Sequence, residues 1–192
     1  MNALVQMGNK QAVVPAVARM AAQAAAERAQ YLTFMLSGEV FAIGILAIKE
    51  IIEYGSLTKV PMMPECIRGV INLRGAVVPV MDLSARFGTQ STEVTKRTCI
   101  VIVEIEADGE HRDVGVVVDA VNEVLEIAGT EIEPAPAFGA RIRTDFIAGI
   151  GKVNGKFVIL LNVDRVLSTE EMGALAAAGA GTQAEMAAAG SA

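Results

Sequence analysis

The chain has 192 residues, 22 of them acidic and 16 basic, for a net charge of −6. That balance, without a basic stripe, argues against a nucleic-acid surface, and no run reaches the ~20 apolar residues of a membrane span. Two cysteines without C-x-x-C spacing, Cys66 and Cys99, supply neither a disulfide framework nor a zinc site.

Residues 1–29 form an alanine-rich leader interrupted by Lys10, Arg19, Glu27 and Arg28, so it does not read as a secretory signal. Pro15 opens at most a short helix that is marginal in water, and a flexible leader is expected. A strand over 31–36 turns at Ser37-Gly38-Glu39 and returns over 40–45. Residues 47–54 fit a helix or a strand. Val60-Pro61-Met62-Met63-Pro64 cannot be regular, because each proline restricts itself and its predecessor. Residues 69–73, the Arg74-Gly75 turn and residues 76–83 make a second hairpin, in which Pro79 predicts an edge position or a bulge.

The polar stretch 88–97 is a seam. A third hairpin follows, 98–106 and 114–118 around Asp108-Gly109, with Cys99 inside its apolar run. After the stiff segment Glu133-Pro134-Ala135-Pro136-Ala137-Phe138, residues 146–150, the Asn154-Gly155 turn and residues 156–161 form the fourth. Ser168-Thr169-Glu170-Glu171 has capping-box spacing and opens a helix expected over 168–178. Gly179 and Gly181 release a disordered tail, 179–192.

The chain repeats itself. Ile48-Lys49-Glu50-Ile51-Ile52-Glu53 recurs 73 positions later as Val121-Asn122-Glu123-Val124-Leu125-Glu126. Ile67-x-Gly69-Val70 with Gly75 recurs 80 positions later as Ile147-x-Gly149-Ile150 with Gly155. A shorter echo sets Ile43-Gly44-Ile45 against Val114-Gly115-Val116. Short strands, glycine turns and little helix predict an all-β chain of Greek-key barrels. The expected division is 31–90 and 91–167, with strands exchanged near the boundaries.

Little in the chain looks catalytic. His111 is the only histidine and lies in an exposed polar stretch without a nucleophile or second ligand. The acidic residues around Asp108 read as a solvated edge rather than a metal site. A hydrolase with one carboxylate from each copy is disfavoured, because Asp82 aligns with Asn162. Arg74 stands where the second copy has Asn154, a better residue for a tight turn. It is either an exposed surface arginine or an anchor that forks onto a partner's carboxylate or carbonyls. Ile48 and Glu50 either border an interface groove or form the wet side of a strand.

Taken together, Phe41-Ala42-Ile43-Gly44-Ile45, Lys49-Glu50-Ile51-Ile52, Ile67-Arg68-Gly69-Val70-Ile71-Asn72-Leu73-Arg74-Gly75, Val78-Pro79-Val80-Met81-Asp82-Leu83, Val116-Val117-Val118-Asp119 and Ile132-Glu133-Pro134-Ala135-Pro136 resemble the CheW family of chemotaxis coupling proteins. The resemblance implies two small five-stranded SH3-like barrels packed along a hydrophobic seam. It implies a cytoplasmic, non-enzymatic adaptor without metal or cofactor, recruited to receptor arrays at the membrane without inserting into it. Its partners would be the tip of methyl-accepting chemoreceptors, the regulatory domain of the histidine kinase CheA and neighbouring CheW-like domains. The same module in a non-flagellar kinase pathway is the alternative.

Carried over by motif, Ile48, Glu50, Arg74 and Cys99 would bind the receptor, and Phe138 the kinase or a neighbouring adaptor. Gly69 and Gly75 would be structural turn residues. Ser84, where a basic residue is common, and Ala120, where glycine is frequent, depart from the family pattern.

Overall fold

The structure, a computed structural model, describes residues 28–107, 109–135 and 142–168. Residues 1–27 of the leader, Phe138, the expected 168–178 helix beyond Ser168 and the 179–192 tail lie outside the described residues, whereas Arg28 and Ala29, expected in the leader, begin the first strand. The elements in chain order begin with β1 (Arg28–Leu36), β2 (Glu39–Gly44), a 3-10 turn at Ile45–Ala47, β3 (Ile48–Glu53), β4 (Ile67–Leu73), β5 (Ala76–Asp82) and the one-turn helix α1 (Leu83–Arg86). The second half continues with β6 (Cys99–Ala107), β7 (Glu110–Val118), β8 (Ala120–Ala128), β9 (Ile132–Glu133), β10 (Ile147–Val153), β11 (Lys156–Leu161) and the one-turn helix α2 (Val163–Val166). No helix among the described residues is long and apolar enough to cross a membrane.

Two sheets result, one ordered β8-β1-β2-β11-β10-β9 and the other β3-β6-β7-β5-β4. Replacing each strand of the first by its sequence counterpart reproduces the order of the second. The sheets do not divide at residue 90. The β1–β2 hairpin pairs with β8 and β11 of the second half, and the β6–β7 hairpin pairs with β3 and β5 of the first. The sixth strand of the larger sheet, β9, touches β10 at two positions; its counterpart is the single bridge between Thr58 and Val70.

The exchanged hairpins build the seam. Phe34, Leu36, Phe41 and Ile43 from one pack with Val101, Val103, Val114 and Val116 from the other in one buried cluster. Each sheet also encloses a smaller cluster: Val78, Val80, Ile100, Ile102 and Val117 in one, and Ala42, Ile127, Val158 and Leu160 in the other. A row of rings, Phe34, Phe41, Phe87 and Phe146, crosses the seam at centroid spacings of 6.4, 5.8 and 6.2 Å.

Several sequence expectations need correction. Val80 pairs with Gly115, whereas Leu160, eighty positions after Val80, pairs with Ala42. The counterpart of Gly115 is therefore Ala42, and the expected match with Gly44 is displaced by two residues. Side chains alternate with period two, so a two-residue slip keeps every face the same and escapes pattern matching. Gly115 is needed where it stands, because a Cβ there would lie 2.8 Å from Ile100 Cγ2.

The strand with Pro79 is interior rather than at an edge. Its pairing with β7 starts only at Val80, so the missing amide hydrogen costs no ladder bond on that side. The adjacent bulge is on β4, between Ile67 and Gly69. The third hairpin is longer than expected and carries His111 within β7.

Gly69 sits at that β4 bulge with φ +148, and a Cβ there would collide with the carbonyl oxygen of Thr58. That carbonyl accepts from Val70 N–H at 2.9 Å, and Thr58 N–H donates back to Val70 at the same distance. Gly69→Ala is therefore expected to lose about 1–3 kcal/mol of stability, measured by denaturant unfolding. A Cβ at Gly75 meets open space, although φ is +93, so Gly75→Ala carries only the left-handed backbone cost of about 1–2 kcal/mol.

Candidate partner-binding site

Three of the four expected receptor-facing residues lie on neighbouring strands. Ile48 and Glu50 are on β3 and Cys99 is on β6, at the far end of the same ladder: Ile48 pairs with Val103 and Glu53 with Cys99. A bulge between Ile48 and Glu50 separates their directions. Ile48 pairs with Val103 of the seam cluster, whereas Glu50 pairs with Ile102 of the sheet's own cluster. Ile48 and Cys99 accordingly pack against the seam.

Arg74 joins this group through charge. Its Nη2 donates to Glu50 Oε2 at 2.9 Å, with the arginine side chain 80% exposed and the glutamate 26%. The pair links the tip of the β4–β5 hairpin to the opposite edge strand, β3, of the same sheet. The tip is a tight turn in which Arg74 has φ +52 and Gly75 φ +93, closed by Gly75 N–H donating to Asn72 Oδ1 at 2.8 Å. Asn154 and Gly155 adopt φ +51 and +76 at the equivalent tip. A left-handed conformation suits asparagine and glycine better than arginine. Arginine is held in a less favoured backbone state, and its guanidinium projects from the sheet.

Lys49, the bulge residue, binds outward. Its Nζ lies 2.7 Å from Asp113 and 2.6 Å from Glu104, and these two carboxylates push its ammonium above the usual lysine range. His111 Nδ1 stands 3.5 Å from Glu104 and is exposed. No cluster of three or more metal-ligating side chains occurs among the described residues.

Arg68 faces inward. Its guanidinium donates to the carbonyl of Thr92, and its Nε lies 3.1 Å from Asp82 Oδ2. Asp82 is fully buried and caps α1, accepting from Ser84 N at 3.0 Å and Ala85 N at 3.3 Å; it also accepts from Thr92 N at 2.8 Å. Its counterpart Asn162 caps α2, accepting from Arg165 N. The carboxylate considered for catalysis is thus engaged as a helix cap and as an anchor for the seam stretch. Ser84 is buried beside it, its Oγ 3.3 Å from Thr92 Oγ1.

Exposed apolar side chains mark what the sequence reading missed. Leu46 is 99% exposed on the 3-10 turn before Ile48, and Ile51 is 43% exposed on β3. Ile51 and its counterpart Val124 are both exposed, as are the counterparts Val77 and Phe157. The repeat offers a signal for these positions: large apolar residues held at matched outward places in both copies.

A family model described as the CheW-like domain matches residues 30–171. The chain belongs to the CheW family. A chemotaxis protein CheW of Klebsiella aerogenes is 35% identical over 143 residues, 74% of this chain and 84% of that protein. One of Bacillus subtilis is 36% identical over 142 residues, 72% and 86%. The crystal structure of the scaffolding protein TtCheW from Thermoanaerobacter tengcongensis superposes with a TM-score of 0.67 at 37% identity, covering 74% of this chain and 89% of that one. The two-barrel architecture is thus the CheW fold, built here with reciprocal hairpins.

Proposed function

We propose that this chain is a non-enzymatic chemotaxis adaptor that couples the tip of methyl-accepting chemoreceptors to the regulatory domain of the histidine kinase CheA. The observation that carries the reading is Arg74: a charged side chain kept at a turn position better suited to asparagine, exposed, and aimed by Glu50. Such a residue adds little to the fold and is available to a partner. Around it, Ile48, Ile51 and Leu46 supply the apolar contact area that gives an interface most of its energy, while the charged pair sets orientation and specificity.

The kinase, or a neighbouring adaptor, is assigned to the sheet built on β11. Phe157 is 65% exposed and Val124 46% exposed there, and Phe138 follows the proline segment of the same half. Separate faces for the two partners let one small chain hold both. The protein acts in the cytoplasm, at receptor arrays, without a catalytic step of its own.

The test is binding of the full chain to a helical receptor-tip fragment and, separately, to the kinase regulatory domain. Cysteine alkylation supplies the site-specific readout. Cys66 is buried and burial pushes its thiol up, so it should resist iodoacetamide. Cys99 is half-buried, its thiol donating to the Arg97 carbonyl at 3.3 Å. Receptor fragment should slow alkylation of Cys99 and kinase domain should not. Binding of neither partner would sink the adaptor reading. Capture of receptors from a different kinase pathway would assign the same module to that pathway.

A further inference from the structure

Between the two sheets, at the end where β1 begins, runs a groove of about 900 Å³. Tyr31, Ile45, Leu46, Ile105, Leu161 and Val163 give it an apolar lining. Glu104, Glu106, Glu126 and Asp164 also line it, against Arg28 and His111, so its charge is predominantly acidic. Lys49 answers part of the charge of Glu104. Leu46, fully exposed, is an apolar side chain of the wall without cover among the described residues.

Two stretches of chain leave from beside this groove. Residues 1–27 join the body at Arg28, which itself lines the groove. The stretch beyond Ser168 follows α2, whose Val163 and Asp164 also line it. Charge separates the two as occupants. Residues 169–192 contain Glu170, Glu171 and Glu185 and no lysine or arginine, so an acidic groove repels them. Residues 1–27 contain Lys10 and Arg19 against Glu27, with Val13, Val14, Val17 and Met20 among small alanines. Opposite charge, apolar content and direct attachment favour this stretch. Attachment also supplies an effective concentration in about the millimolar range, so even a weak contact is populated.

We infer that the leader, residues 1–27, occupies this groove in the free protein and competes there with the receptor. Occupancy stands on the groove and the leader alone; the competition rests on the receptor reading, since Leu46 and the 3-10 turn leading into Ile48 form the wall that both would use. The leader is thereby a built-in brake on receptor capture, and one that salt weakens.

The experiment uses the full chain, labelled with nitrogen-15, as wild type and as Lys10→Glu/Arg19→Glu, whose substitutions lie outside the described residues. Charge reversal should shift the amide resonances of Gln30, Leu46 and Glu106, and raised salt should shift wild type in the same direction. The double variant should bind the receptor-tip fragment several-fold more tightly than wild type, with kinase-domain binding unchanged. Shifts confined to residues 1–27 overturn the inference. So do shifts that depend on protein concentration, which point to a second copy in the groove. Groove shifts with unchanged receptor affinity support occupancy and overturn competition. Groove shifts with no receptor binding by either protein overturn the receptor reading and leave occupancy standing.

Discussion

Arg74→Glu is expected to weaken receptor binding by at least about tenfold, which is ~1.4 kcal/mol, while kinase-domain binding and the melting temperature stay near wild type. The side chain is 80% exposed, so its ion pair with Glu50 adds at most a small amount to stability. Reversal places two carboxylates at the same spot and turns an attractive anchor into a repulsive one. Arg74→Asn separates backbone from charge. Asparagine is the residue the second copy uses at this φ, so this variant should melt slightly higher than wild type while still losing receptor affinity. Titration against the receptor-tip fragment, with thermal unfolding on the same samples, reads both effects. A variant that unfolds would make Arg74 structural, and a folded Arg74→Glu with full receptor affinity would remove it from the interface.

Asp82→Ala should be far more damaging to the fold. The carboxylate is fully buried, accepts from Ser84, Ala85 and Thr92, and stands beside the Arg68 guanidinium. Removing one partner of a buried pair strands the other, a loss of about 3–5 kcal/mol. Here it also frees the cap of α1 and the anchor of residues 88–97. Asp82→Asn keeps the shape and an acceptor and should lose less, as the asparagine cap at Asn162 indicates. Urea unfolding of the two variants measures the difference. Equal stability of wild type and alanine variant would mean that this network contributes nothing net to the fold.

Features written in local chemistry were legible in the sequence. The Ser37-Gly38, Arg74-Gly75 and Asn154-Gly155 tips each need two residues at positive φ, and their composition announces it. The glycines at 69 and 149 stood out as matched positions, but the bulges that both β4 and β10 carry beside them were not read from the sequence, which placed a bulge only at Pro79. Helices α1 and α2 were not legible, because four residues are too few to show a helical period. The polar pair Asp82 and Asn162, each ahead of an apolar residue, was the available sign of a cap.

Exchange of strands near the boundaries was expected, but which hairpins cross over was not legible, for a different reason. Alternation specifies which face of a strand is buried, and a hairpin satisfies it equally beside either copy's remaining strands. At the candidate site, the match to known motifs picked out Arg74, Glu50, Ile48 and Cys99. The bulge at Lys49 escaped, since it depends on register against β6 rather than on the β3 sequence. Leu46 and Ile51 escaped because an apolar residue carries no local mark of facing outward.

The reciprocal hairpins also bear on how the protein comes to exist at all. Strand β1 finds its neighbour β8 only after some 90 intervening residues, as the Thr33 hydroxyl bonded to the Glu123 carbonyl records. Neither sheet can therefore close while the chain is half made. On the ribosome the first two hairpins emerge with edges unpaired until β6 and β7 follow, and such non-local pairing is slow relative to helix or hairpin formation. Once closed, the two halves are interlocked: neither sheet can unravel without withdrawing a hairpin from the other. Loss of the whole body should then be a single cooperative event, and the two faces proposed for binding would persist or vanish together.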